Sequence, residues 1–141
     1  MEEGIKTADE WFEEGLAHMK SQEIEEAIEC CNKVIELNPN YRKAEFWSWR
    51  AGLLFDMGTF QEAIYLTAIE NEDIGGKDSK VAKRFQNYEE KYREALECFE
   101  RALEIDPNSV ETLKAKAHML LFLKREEEAM ECLERVKEIG S

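Results

Sequence analysis

The stretch EAIECCNKVIELNPN, residues 26–40, returns in altered form as EALECFERALEIDPN, residues 94–108. Both copies keep Glu-Ala, an aliphatic residue, Glu-Cys and a closing Pro-Asn. In the second copy Ala95, Leu96, Cys98, Phe99, Ala102, Leu103 and Ile105 recur at three- and four-residue spacing, with no strand-like alternation. That pattern predicts a helix with a broad buried stripe. Pro39 and Pro107 stop each copy, because proline cannot continue the helical hydrogen bonds and restricts the residue before it.

The repetition has a period. Glu-Ala recurs at Ala27, Ala63, Ala95 and Ala129, at spacings of 36, 32 and 34 residues, and Pro39 and Pro107 lie 68 apart, twice 34. A period near 34 is the length of a unit built from two helices. Thr7 with Glu10, and Thr59 with Glu62, read as capping boxes that open helices. Gly58, just before Thr59, is predicted to break a hairpin, and residues 71–79 (NEDIGGKDS) form a loop. The expectation is therefore an all-α chain of eight helices in four antiparallel pairs.

Bulk properties narrow the function. A chain of 141 residues is expected to make one domain, 1–141, with units at about 8–41, 44–75, 76–109 and 110–141. Its net charge of −13 repels phosphates and anionic lipid, so neither nucleic acid nor membrane is an expected partner. Residues 77–93 reverse the sign locally, with six basic and three acidic side chains. No apolar run approaches the roughly 20 residues of a membrane span. The acidic start MEEGIKTADEWFEE does not read as a secretory leader, and four cysteines without one point to reduced thiols and a cytoplasmic location.

Catalytic patterns are missing. The vicinal Cys30-Cys31 lacks the paired Cys-x2–4-Cys or Cys/His spacing of a zinc site, and Cys30, Cys98 and Cys132 share one repeat position, which reads as packing. His18 and His118 lie 100 residues apart, and His18 sits at a position that packs within its unit. No HExxH, phosphate loop or GxSxG occurs. Runs such as Glu126-Glu127-Glu128 read as solvated helix faces. No catalytic residue, metal or cofactor is expected.

The chain resembles the tetratricopeptide repeat family across nearly its whole length. In the first unit Trp11, Gly15, Ala27 and Pro39 fall at motif positions, while His18, Cys31 and Val34 depart from them. The second offers Trp47, Ala51, Gly58, Phe60 and Ala63; the third Tyr92, Ala95, Phe99, Ala102 and Pro107; the fourth Leu113, Ala117, Leu120 and Ala129. The resemblance implies a superhelical array and a non-enzymatic adaptor that holds peptide or protein in a concave groove lined by first helices. Mapped onto this sequence, that groove takes Phe12, Leu16, Trp49 and Phe55 as an apolar floor and Lys80, Arg84 and Lys114 as partners for acidic groups. Tyr88, His118 and Phe122 join them, with Trp49 and Tyr88 as anchors. The expected ligand thus combines acidic and apolar groups. A two-carboxylate clamp of the co-chaperone kind is disfavoured, since Phe12, Leu16, Trp49 and Val81 replace its polar residues and only Lys77 matches. The alternative implied is a self-assembly module, a homodimer paired through the terminal helices by Ala129, Leu133, Val136 and Ile139.

Overall fold

A computed structural model describes residues 5–140. Within them the chain forms seven α-helices: α1 (Ala8–Lys20), α2 (Ile24–Leu37), α3 (Ala44–Glu70), α4 (Lys80–Phe85), α5 (Tyr88–Ile105), α6 (Val110–Phe122) and α7 (Glu126–Gly140). Two 3-10 turns, Glu72–Ile74 and Gly76–Asp78, precede α4. The all-α class is as expected; among the described residues the helices number seven, not eight.

Local chemistry accounts for most boundaries. Thr7 and Glu10 form the anticipated capping box at α1: the Glu10 amide donates to the Thr7 hydroxyl at 3.1 Å, and the Thr7 amide to the Glu10 carboxylate at 2.8 Å. Helices α2 and α5 end two residues before Pro39 and Pro107. Just past each end, an Asx side chain accepts from the backbone two residues on, Asn38 from the Asn40 amide and Asp106 from the Asn108 amide. That shared turn is what the repeated Asn-Pro-Asn and Asp-Pro-Asn encode. The α1–α2 and α6–α7 connections each pass through a left-handed residue, Gln22 (φ 60°) and Lys124 (φ 63°), 102 positions apart.

The second unit departs from expectation. Residues 44–70 make one continuous helix, about 40 Å long at 1.5 Å per residue. Gly58 does not break it, and Thr59 and Glu62 do not cap a new one. The Thr59 hydroxyl donates to the Asp56 carbonyl at 2.9 Å within the helix, and Glu62 accepts from the Tyr92 hydroxyl. One interior glycine costs a helix about 1 kcal/mol, too little to end it against favourable packing on both sides. The partner of α3 is α5, antiparallel to it: Trp47 meets Arg101, Arg50 meets Cys98, Phe55 and Gly58 meet Tyr92, and Tyr65 meets Tyr88. Helix packing thus pairs α1 with α2, α3 with α5, and α6 with α7, while α4 lies on α3. The 68-residue spacing of the prolines contains one hairpin whose turn has been drawn out, not two hairpins.

A repeated contact ties successive pairs together. Arg101 on α5 donates to the Pro39 carbonyl and the Asn40 side chain, and Arg135 on α7 donates to the Asn108 side chain. The two arginines are 34 residues apart. The main core centres on Phe46, fully buried among Phe12, Tyr41, Trp47 and Trp49, with ring centroids 5.1–6.4 Å away. A second cluster, Leu113, Ala117, Leu120, Ala129 and Cys132, fills the last pair, and Leu96 packs against both.

Close approach of α3 and α5 makes a direct test. A β-carbon on Gly58 would lie 2.6 Å from the Tyr92 ring, which is buried and held by Glu62, whereas one on Gly52 meets nothing within 4 Å. Gly58→Ala is expected to destabilise by about 1–3 kcal/mol despite alanine's better helix propensity. Gly52→Ala should stabilise by up to about 1 kcal/mol, both read from urea unfolding midpoints.

Candidate functional site

α6 meets the first half of α3 at Ser48 and Phe55, while α5 runs along both halves, from Trp47 to Tyr65. A run of rings results. Tyr65 faces Tyr88 at 5.5 Å, Tyr88 faces Tyr92 at 6.0 Å, and Tyr92 faces Phe55 and Phe122 at 5.9 and 5.8 Å. Phe55 in turn meets Phe122 edge-on at 5.3 Å and His118 at 6.2 Å. Edge-on and tilted arrangements of this kind favour contact between the positive ring edge and the negative ring face.

Beside this ladder lies an open cleft of about 860 Å³ between α5 and α6, with Glu62 of α3 at its edge. Tyr88, Tyr92, Leu96, Leu121 and Phe122 give it an apolar wall, and Phe122 and Leu121 are 47% and 49% exposed. Arg93, Lys124 and Arg125 bring positive charge to the rim, with Glu62 and Glu89 opposing them. Arg125 is held by a two-pronged pair with Glu128 at 2.7 and 2.8 Å, and Arg93 lies 3.6 Å from Glu90. Burial, with the hydrogen bond to Glu62 next, pushes the Tyr92 phenol above its ordinary range; burial, then the Glu62 charge, does the same to Tyr88.

The ten residues proposed from the sequence divide. Phe55, Tyr88, His118 and Phe122 come together in the ladder. Phe12 and Trp49 meet each other 5.5 Å apart at the other end of α3, where Phe12 is 7% exposed and belongs to the core. Phe12 therefore offers little surface to a ligand, because Tyr41, Phe46 and Trp49 cover it. Leu16 is exposed on α1 and Lys114 on α6. Lys80 and Arg84 are exposed on α4, which packs on α3 and on the turn before it, so their position follows the drawn-out hairpin rather than a third first helix. Arg93, Lys124 and Arg125 were not anticipated as a basic rim; their common edge arises from the α5–α6 junction, which no local spacing announces. On α7, Ala129 and Cys132 are buried, Val136 and Ile139 are half-buried, and Met130 and Leu133 are 55% and 39% exposed.

All four thiols are free and buried. Burial pushes each one up, Cys31 to about 12, so without a bound cation the folded chain favours the thiol over the thiolate. Glu14, His18 and Cys30, scattered in sequence, are brought together at the α1–α2 hairpin. No helix among the described residues is long and apolar enough to cross a membrane.

The Tyr92–Glu62 bond has a pH signature. A phenol raised above its unfolded value stabilises fully below about pH 10, and that contribution is lost as pH rises through the folded value. Tyr92→Phe should therefore cost about 1 kcal/mol at neutral pH, with the gap from the parent protein narrowing above about pH 10. Urea unfolding of both proteins across that range checks it.

Comparison with known proteins supports the repeat. Models of the tetratricopeptide repeat match residues 8–41 and residues 88–140, together more than half of the chain. These two matches flank the long helix and its drawn-out turn. The uncharacterized protein MJ0572 of Methanocaldococcus jannaschii is 40% identical over 63 residues, 45% of this chain and 71% of that protein. Among solved structures, MamA from Desulfovibrio magneticus RS-1 is 15% identical with a TM-score of 0.38, over 94% of this chain and 75% of that one. A second MamA structure is 17% identical with a TM-score of 0.36, over 94% and 78%. On the sequence matches, together with the all-α hairpins closed by like Asx turns, the chain belongs to the tetratricopeptide repeat family.

Proposed function

We propose that this chain is a non-enzymatic scaffold that holds a peptide or protein segment in the α5–α6 cleft, against the Phe55–Tyr92–Phe122 ladder. Family membership places it among protein-interaction scaffolds in general. The observation that carries the finer reading is Phe122, a ring half in solvent yet fixed edge-on against Phe55 and Tyr92. A preordered aromatic costs little entropy when it binds, and aromatics dominate the energy of interfaces. Leu121 widens the apolar patch, and Arg93, Lys124 and Arg125 favour a ligand that sets acidic residues beside apolar ones. Tyr88 and His118 extend the same surface, whereas Lys80, Arg84 and Lys114 serve at most as more distant charge.

A displayed library of random peptides, selected on the immobilised protein, tests this reading. Enriched sequences should pair acidic with leucine or aromatic residues. Phe122→Ala should weaken them roughly tenfold or more, and Lys124→Glu should weaken them in a salt-dependent way. Equal binding to the parent protein and to both variants would place the ligand elsewhere.

A further inference from the structure

We propose that Glu14, His18 and Cys30 form a binding site for a borderline divalent transition metal of the zinc class. Glu14 and His18 are one helical turn apart on α1 and so share a face. Cys30 approaches from α2, where Gly15 lets the helices close: a β-carbon on Gly15 would lie 3.1 Å from that of Cys30. The three donor atoms all lie within 4.8 Å of one another. Glu14 Oε2 is 3.9 Å from His18 Nε2 and 3.7 Å from Cys30 Sγ. A tetrahedral zinc ion spaces its nitrogen, oxygen and sulfur donors about 3.3–3.8 Å apart, so small side-chain rotations suffice.

Each donor is also prepared by its neighbours. Lys6 engages the other carboxylate oxygen, Oε1, which leaves Oε2 facing the histidine and the thiol. Glu23 lies 3.0 Å from His18 Nδ1. A carboxylate can only accept, so in the neutral ring Nδ1 holds the proton and Nε2 presents its lone pair to the other two donors. A carboxylate behind the imidazole is the second partner that metal-bound histidines ordinarily have. Glu14 and His18 are half-buried while Cys30 is 2% exposed, so an ion would meet a fixed sulfur and keep an open side for water. Nitrogen, oxygen and sulfur together suit zinc and cobalt better than magnesium or calcium, which prefer oxygen alone. Cys30 must lose its proton to serve, so binding releases one proton to solvent.

Cobalt(II) is the direct probe, because a thiolate ligand gives a charge-transfer band and tetrahedral geometry gives intense visible bands. Reduced, chelator-treated protein titrated with cobalt should show both at one equivalent, and zinc should bleach them. Cys30→Ser should lose the charge-transfer band although Cys31, Cys98 and Cys132 remain. His18→Gln, at a half-exposed position, should weaken binding at least tenfold. Glu23→Gln should weaken it about 10- to 100-fold while the spectrum keeps its shape. Far-UV circular dichroism confirms that each variant folds. No charge-transfer band in the parent protein, or an unchanged band in folded Cys30→Ser, overturns the proposal.

Discussion

The fit of the Tyr92 ring over the bare α-carbon of Gly58 is the contact on which the middle of this molecule depends. It brings α5 close enough to α3 for the pairing to run from Trp47–Arg101 at one end to Tyr65–Tyr88 at the other. With that side of α3 covered, the helix has no reason to stop, and it continues to Glu70. The Tyr92 hydroxyl then reaches Glu62, a residue that exists at that place only because the helix is continuous. Phe55, on the same helix, is presented to α6, and the aromatic ladder and its cleft follow.

Around this centre the repeat works by equivalence. Arg101 closes onto the turn after α2 as Arg135 closes onto the turn after α5. Neighbouring hairpins are thereby latched by the same side-chain chemistry, in addition to the apolar contacts that a single hairpin cannot supply alone. The last pair has its own small core and is joined to the rest through Leu96 and the Thr112–Ser48 hydrogen bond. Such an arrangement presents a firm surface while leaving side chains such as Phe122 and Leu121 at its edge.

Much of this was legible in the residues. Pro39 and Pro107, the capping box at Thr7, and the apolar stripe of α5 are local signals whose partners lie within a few residues, and the structure places them as read. Gly58-Thr59 was misleading for the opposite reason. A glycine before Thr-x-x-Glu reads as a turn and cap, yet its fate was decided by Tyr92, 34 positions away. The drawn-out turn adds one period's length, so the proline spacing mimics two units. The same displacement moves Lys80 and Arg84: the family's register assigns them to a first helix, whereas they ride on short α4. The family's groove positions mark Phe12 as floor without saying what covers it; Phe46 and Trp49 do. The meeting of Glu14 and His18 with Cys30 likewise needs the α1–α2 crossing before it can be seen.

Continuity of α3 through Gly58 is the central claim, since the α3–α5 pairing and the cleft both require it. Backbone NMR of residues 55–63 measures it most directly. An unbroken helix predicts helical α-carbon shifts across Gly58 and Thr59, with their amides and those of Phe60 to Ala63 exchanging slowly in deuterated water. Non-helical shifts at Gly58–Thr59, with fast exchange of the amides that follow, would mean that the chain turns there and would contradict the account.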